Sequence, residues 1–470
     1  MSVDEVRPAD AERNEYRNQF RIELDRHGTE YRTEFEQLSD QLHARTPVAW
    51  NDTHGGYWFV SRNKELFDIA RRADVLSNDE DPYGERKGYA GITIPTPPLE
   101  LRQGQYGPPG RLPGLFLMMD PPEQRYYRNA LNAYLSPAAV ARWQPVIDAL
   151  TEASLDEVIE TGRIDFVDDL ANIVPAVLTM AMLGFPLADW VTYCEPIHAQ
   201  VYTRPGTPEA DRVMEQMGVM AMHTLGYIAD IRANPRPGLT HALINADIGG
   251  RKADDMALLG AVGLLIGGGF DTTTALTAHA LEWLSENPDH REWLIRDWDQ
   301  LRDSATEEFL RFYTPAPGDG RTVSKDVEID GVEFREGERL WLSWAMANRD
   351  AEVFEDPHAL KLDRKGNRHA SFGLGVHRCI GSNVARATFK TMLKAVLERM
   401  PDYVCDPAGA VHYDTTGVIN GMKKLPATFT PGKRLGPGLE ATIEKLQRAV
   451  DEQRIAEPVT LRRERARIPD

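Results

Sequence analysis

Residues 256–270 read MALLGAVGLLIGGGF and carry no charge; Asp271 follows, and a second polar-poor run continues to Leu281. A run this apolar must leave water, either into a bilayer or into a protein core. Its uninterrupted part is shorter than the roughly 20 apolar residues of a membrane-spanning helix. Gly267, Gly268 and Gly269 break it, and Asp271 stands beside them. A buried core helix is therefore expected, with no membrane partner. Three consecutive glycines cost such a helix about 1 kcal/mol each relative to alanine. They also strip side chains from one stretch and open a groove beside the backbone. That groove serves either close helix–helix packing or a small ligand. Thr272 is placed to share the carbonyl four residues back and bend the helix further.

The chain around this run has 470 residues, enough for a sizeable core. At roughly 150 residues per domain, the length alone allows two to four domains or one large one. Lys and Arg number 54 against 72 Asp and Glu, a net charge of −18. An acidic chain argues against nucleic acid or an anionic membrane as the main partner. Three cysteines, Cys194, Cys379 and Cys405, lack C-x-x-C spacing. Disulfide frameworks, zinc fingers and thioredoxin-like sites fall away. The first residues show no basic segment followed by an apolar one, so a cytoplasmic protein is expected.

Residues 11–45 are charged and helical in pattern, interrupted near Gly28, and read as a solvated surface. PVAW (47–50) and GYWFVSR (56–62) flank a Gly-Gly turn, which predicts a hairpin. Residues 80–118 are rich in proline and glycine, and a connection of that length is expected to be functional. Asp120-Pro121-Pro122-Glu123 opens a helix with Asp120 as its cap. Helical spacing runs through most of 122–300. VEIDGVEF (327–334) places Asp330-Gly331 between alternating apolar residues, a second hairpin signal. The fold class is mainly α with small β-sheets. There is no internal repeat.

Residues 371–386, SFGLGVHRCIGSNVAR, hold the chemistry. Gly373 and Gly375 precede Cys379, and Gly381 opens a helical pattern. Cys379 thus lies near a helix N-terminus, where the dipole and free N–H groups favour a thiolate. The glycines allow close backbone approach, and His377 and Arg378 add positive charge. Such a cysteine is a candidate nucleophile or metal ligand. Cys194 and Cys405 fit inert buried thiols. A dinucleotide fingerprint at Gly373-Leu374-Gly375 fails, since position 378 is Arg and no strand–helix unit surrounds it.

The full spacing F-G-x-G-x-H-R-C-x-G, from Phe372 to Gly381, resembles the haem-binding signature of the cytochrome P450 family. Three further motifs lie in the family's order. Glu308-Phe309-Leu310-Arg311 places two opposite charges on one helix face and resembles the structural E-x-x-R pair. The family often adds an Arg before an aromatic in the next segment; Ala359-Leu360 stand there, and Arg364 follows four residues on. Gly268-Gly269-Phe270-Asp271-Thr272 resembles the oxygen-binding groove. Asp120-Pro121-Pro122-Glu123-Gln124, followed by Arg128, resembles a propionate-binding segment. Many members carry His at the place of Gln124; camphor-hydroxylating ones carry Gln.

The resemblance spans roughly residues 30–435 and implies a P450 fold. Haem b (iron protoporphyrin IX) is implied between the groove helix and the helix after the cysteine loop. Cys379 is then the axial thiolate, which favours O–O cleavage. Phe372, Gly373, His377 and Gly381 surround it, and Gln124, Arg128 and Arg321 face the propionates. Gly268 and Gly269 line the groove. Asp271 and Thr272 are the acid–alcohol pair that passes protons toward dioxygen. Glu308 and Arg311 are structural. The implied reaction hydroxylates or O-dealkylates an apolar terpenoid, aromatic or steroid. Ile94, Phe116, Ile266, Pro317 and Ile419 are pocket candidates, each of which also reads as plain core. Electrons are implied from a ferredoxin and its reductase, docking on Arg125, Arg378, Arg386 and Lys390. Alternatives are a carrier-tethered substrate, a peroxide-driven enzyme or a haem sensor; the Asp271-Thr272 pair argues against the last two. One domain is expected over 1–435, with a polar extension over 1–30. A helical extension is expected over 436–470, where Leu439, Ile443, Leu446 and Val450 share a face that serves packing on the body or self-association.

Overall fold

The computed structural model describes residues 8–80, 89, 91–94, 113–203, 207–453 and 456–459. Most of the 80–118 segment therefore lies outside the described residues. Helices dominate, with small sheets at one side, as the periodicities predict. The apolar run forms two helices, Asp255–Gly269 and Asp271–Glu286, broken at Phe270. Ala257, Leu258, Ala261, Val262 and Ile266 of the first are buried, and so is nearly every residue of the second through Leu281. By length and composition the 255–286 span is apolar enough to cross a membrane. Here it is the core helix around which the main apolar cluster is built.

Both hairpins form. Val48–Asn51 pairs with Tyr57–Val60 in antiparallel register. Val327–Ile329 pairs with Val332–Phe334, and its turn residues Asp330 and Gly331 have φ of 51° and 79°. Those two values are what a two-residue hairpin turn requires. The first hairpin belongs to a six-stranded sheet that also takes Arg21–Ile22, Arg339–Leu342, Asp319–Val323 and Leu76–Ser77. Asp319–Val323 carries Arg321 toward the site.

The charged 11–45 segment departs from its expectation of a solvated surface. Arg21 pairs with Trp50 in the sheet, Tyr31 and Leu42 are buried, and Arg26 is 1% exposed. Arg26 lies 3.3 Å over the Trp341 ring and donates to the carbonyls of Ile94 and Gly417. Arginine stems and guanidinium faces cover apolar surface, so charge density alone misjudges burial here.

Asp120 does not cap its helix. The helix Glu123–Leu135 begins after Pro122 with no side-chain cap. The Asp120 carboxylate instead accepts from the Ser77 hydroxyl at 2.6 Å and the Asn78 N–H at 2.9 Å, tying the helix entry to the sheet. Just before it, Gly114 has φ +85°, and a Cβ there would lie 1.7 Å from the Ala257 carbonyl oxygen. The chain therefore passes against the core helix where only glycine fits.

At the other end, helix Leu439–Gln453 packs on helix Gln144–Val158. Ile443, Leu446 and Val450 are buried in the main cluster, and Leu439 packs against it. The amphipathic face finds its cover within the chain. Asp156 secures the approach by accepting from the N–H groups of Leu435 and Gly436.

Candidate functional site

The loop before helix Ser382–Arg399 is shaped by two glycines. Gly373 and Gly375 adopt φ of +63° and +68°. A Cβ on Gly375 would also meet the Ala70 carbonyl oxygen at 2.7 Å. The Cys379 N–H donates to the Phe372 carbonyl at 2.7 Å, closing the loop. Gln124, 1% exposed, donates from Nε2 to the Val376 carbonyl at 2.8 Å. Arg128 donates to the Arg378 carbonyl at 2.7 Å. Arg386 lies 4.4 Å over the Phe372 ring and forms a two-bond pair with Glu307.

Cys379 is exposed, whereas Cys194 and Cys405 are buried. Protein atoms nonetheless crowd the Cys379 thiol, and burial pushes its pKa up. The Gly381 N–H and the charges of Arg128, Arg378 and Arg386 pull it down by less. The free thiol thus differs from the thiolate expected of a helix N-terminus, because desolvation outweighs the dipole.

Two arginines and a histidine face the same region. Arg321 is 3% exposed; its visible hydrogen bond goes to the Gly320 carbonyl at 2.7 Å. His377 is held down at about 3, by burial first and then by the Arg321 and Arg128 charges. Burial also lowers Arg128 and Arg321. Among the described residues neither arginine has a carboxylate within ion-pair distance. Buried cations need a counter-charge. A dianion such as a pair of propionates meets that need, and the exposed sulfur supplies a soft donor for iron. The residues present therefore fit a haem. Gln124 gives one of its two amide N–H groups to the loop, and its Oε1 has no partner.

On the core helix, Gly268 is exposed between half-buried Gly267 and Gly269, and a Cβ on Gly267 or Gly268 would meet nothing within 4 Å. Gly269 differs, since a Cβ there would strike the Thr179 hydroxyl at 2.6 Å. The glycine run thus serves both its readings, an open groove at Gly268 and close packing at Gly269. The Thr272 hydroxyl donates to the Gly268 carbonyl at 3.3 Å. Asp271 is 3% exposed. Its Oδ1 accepts from Tyr413 Oη at 2.9 Å and lies 2.7 Å from His198 Nδ1, while Oδ2 has no partner. His198 and Tyr413 escaped the sequence reading, since no local spacing links either to Asp271.

Glu308 and Arg311 are fully buried and share two hydrogen bonds of 2.8 Å. Arg364 adds two more to Glu308 at 2.9 and 3.0 Å, and Asn367 and the Lys361 N–H complete its shell. Arg311 also donates to the carbonyls of Asn348, Pro357 and Ala359, which pins the segment before the cysteine loop.

The pocket candidates do not converge. Phe116 and Ile266 are buried in the main cluster, Phe116 stacked on Tyr127. Ile94 belongs to a separate cluster with Tyr31 and Trp341. Ile419 is half-buried. Pro317 lines a cavity of about 500 Å³ together with His279, Glu282, His412 and Asn420. Neither Cys379 nor Thr272 is among that cavity's lining residues.

Comparison with known proteins agrees with this geometry. The family model Cytochrome P450 matches residues 210–401, a span holding Asp271, Thr272, Glu308, Arg311 and the Cys379 loop. A steroid C26-monooxygenase of Mycolicibacterium smegmatis is 27% identical over 84% of this chain and 90% of its own. A linalool 8-monooxygenase of Pseudomonas putida is also 27% identical, over 83% and 94%. A solved Mycobacterium marinum cytochrome P450 in complex with pseudoionone superposes with a TM-score of 0.76. It is 26% identical, and the match covers 86% of this chain and 98% of that one. With a cysteine loop, a glycine-opened core helix and a buried Glu–Arg–Arg network in one fold, the chain has the cytochrome P450 fold and is similar to members of that family.

Proposed function

We propose that this enzyme is a haem-thiolate monooxygenase of apolar small molecules, in which Cys379 would ligate the iron of haem b. One observation carries the reading: the exposed Cys379 lies beside Arg128, with His377 and Arg321 next to them, and neither arginine has a carboxylate within ion-pair distance among the described residues. In this assignment Arg128, Arg321 and His377 hold the propionates. Gln124 holds the loop through one amide N–H and offers the other to a propionate. Haem, when bound, supplies the one-electron and dioxygen chemistry.

The chain's own part is proton delivery and exclusion of water. Thr272 presents its hydroxyl beside the exposed Gly268 backbone. Asp271 keeps Oδ2 free of partners while His198 and Tyr413 hold Oδ1. A carboxylate fixed by one oxygen and free at the other takes a proton at Oδ2 and turns it toward Thr272. His198 and Tyr413 are positioning residues in this scheme.

Steroid- and terpenoid-oxidising relatives support an apolar substrate, hydroxylated or O-dealkylated. The electron donors of this reading are a ferredoxin and its reductase, in the cytoplasm. Their docking face narrows to the exposed Arg125 and Arg378, because Arg386 and Lys390 pair with Glu307 and Asp303. Residues 1–435 form the catalytic domain of this reading, with 436–470 as an extension. The test is an absorbance titration of the ferric protein with terpenoids, steroids, methoxylated aromatics and fatty acids. A low-spin to high-spin shift with one class names the substrate family. Turnover supported by peroxide but not by a surrogate ferredoxin system would contradict the electron route.

A further inference from the structure

His279 and Glu282 stand three residues apart on helix Asp271–Glu286, so both side chains leave the same face. His412, on strand Val411–His412, faces them across the fold. One ligand atom from each of the three lies within 4.8 Å of the others. His412 Nε2 is 2.7 Å from Glu282 Oε1. His279 Nδ1 is 3.6 Å from Glu282 Oε2, beyond hydrogen-bond reach.

An ordinary hydrogen-bonded cluster does not account for this arrangement. His279 is 4% exposed, yet both its ring nitrogens lack a partner. His412 Nδ1 is buried without one as well. Buried ring nitrogens are normally paired. The His279 ring is also held in place, stacked on Tyr313 at 4.7 Å with 6° between planes. A neutral imidazole fixed by an aromatic face and left without a hydrogen bond is a ligand in wait of a cation.

We infer that His279, Glu282 and His412 form a second metal site, separate from Cys379, that takes a divalent cation of zinc type through two imidazoles and one carboxylate. Two histidines and a glutamate form a known zinc set, with bonds of about 2.0–2.2 Å and a fourth position left open. Tetrahedral bonds of that length put ligand atoms roughly 3.3 Å apart, so shifts of about 1.5 Å or less close the site. His412 gives up its hydrogen bond to Glu282, carries its ring proton on Nδ1 and binds through Nε2. The open position faces the 500 Å³ cavity, which supplies water and an entry path. Arg32, on the same cavity wall, opposes the cation, and the Glu282 carboxylate offsets it. The metal clamps strand Val411–His412 to the core helix.

The experiment uses the full-length holoenzyme, stripped with chelator, dialysed against Zn²⁺ and desalted. Elemental analysis should then give one zinc per chain. His412→Ala and Glu282→Gln should each weaken zinc binding by more than about 100-fold, above the 10–100-fold typical of residues behind a ligand. The exposed His223→Ala variant should bind as the parent does. Zinc should raise the melting temperature of the parent and of His223→Ala, and leave the other two unchanged. No zinc on the parent overturns the inference outright, whatever the variants do. Equal zinc on the parent and on both ligand variants also overturns it, since that marks adventitious surface binding. Haem content, read from iron in the same sample, reports on the oxygenase site independently.

Discussion

Removing the Thr272 hydroxyl takes away the group closest to the open Gly268 backbone. In Thr272→Ala, haem content should be unchanged, while product per reducing equivalent falls several-fold and peroxide rises. Tight coupling in that variant would refute the role given to Thr272. Tyr413→Phe removes one of two donors from Asp271 Oδ1. A hydrogen bond to a charged group is worth about 1.5–3 kcal/mol, so the carboxylate should reorient and the proton-dependent step slow about tenfold. A solvent isotope effect should grow in step; an unchanged rate and isotope effect would remove Tyr413 from the scheme. Cys379, Asp271 and Thr272 were legible in the sequence because each lies in a contiguous motif whose glycines have one geometric purpose. His198 and Tyr413 were not, since they reach Asp271 across 73 and 142 residues. Only packing of helix Trp190–Tyr202 and the 411–413 segment around the core helix brings them there.

At the scale of elements, the Glu308 network joins helix Trp298–Tyr313 to the segment before the cysteine loop. Glu308→Ala leaves Arg311 buried without its carboxylate. Breaking one side of a buried pair costs about 3–5 kcal/mol. Denaturant unfolding should show that loss, together with weaker haem retention, and Arg364→Ala should cost less because Arg311 still satisfies Glu308. A Glu308→Ala protein as stable as the parent would contradict the network. The Glu308-Arg311 spacing was readable from helix geometry. Burial was not, since an exposed pair has the same spacing. Arg364 was displaced from the family's usual place, yet a side chain that long reaches Glu308 from four residues further on. The C-terminal helix followed directly from its apolar face, and its anchor at Asp156 left no mark in the sequence.

For the whole molecule, a net charge of −18 predicts acid sensitivity concentrated in paired carboxylates. Burial raises Glu307 and Glu282, but hydrogen bonds to Glu307 from Arg386 and His369, and the imidazoles of His279 and His412 beside Glu282, outweigh it and bring both to about 2. An unfolded glutamate titrates near 4.3. The unfolded chain therefore binds these protons first, and stability present above about pH 4.5 drains away as pH falls toward 2. Arg386→Gln should flatten that slope in acid unfolding by removing Glu307's main partner; an unaltered slope would exclude Glu307 from it. The mainly helical architecture and both hairpins were visible in periodicity. Residues 11–45 misled, because arginines packed on tryptophan look like solvated charge in a sequence. Ligation at Cys379 is tested most directly by the absorbance spectrum of the ferric and the reduced, carbon monoxide-bound protein beside its Cys379→Ser variant. A thiolate-ligated haem spectrum is expected in the parent, and its loss in the variant with the fold retained by circular dichroism. A thiolate spectrum that survives the substitution, or a parent with no thiolate-ligated haem, would contradict that ligation.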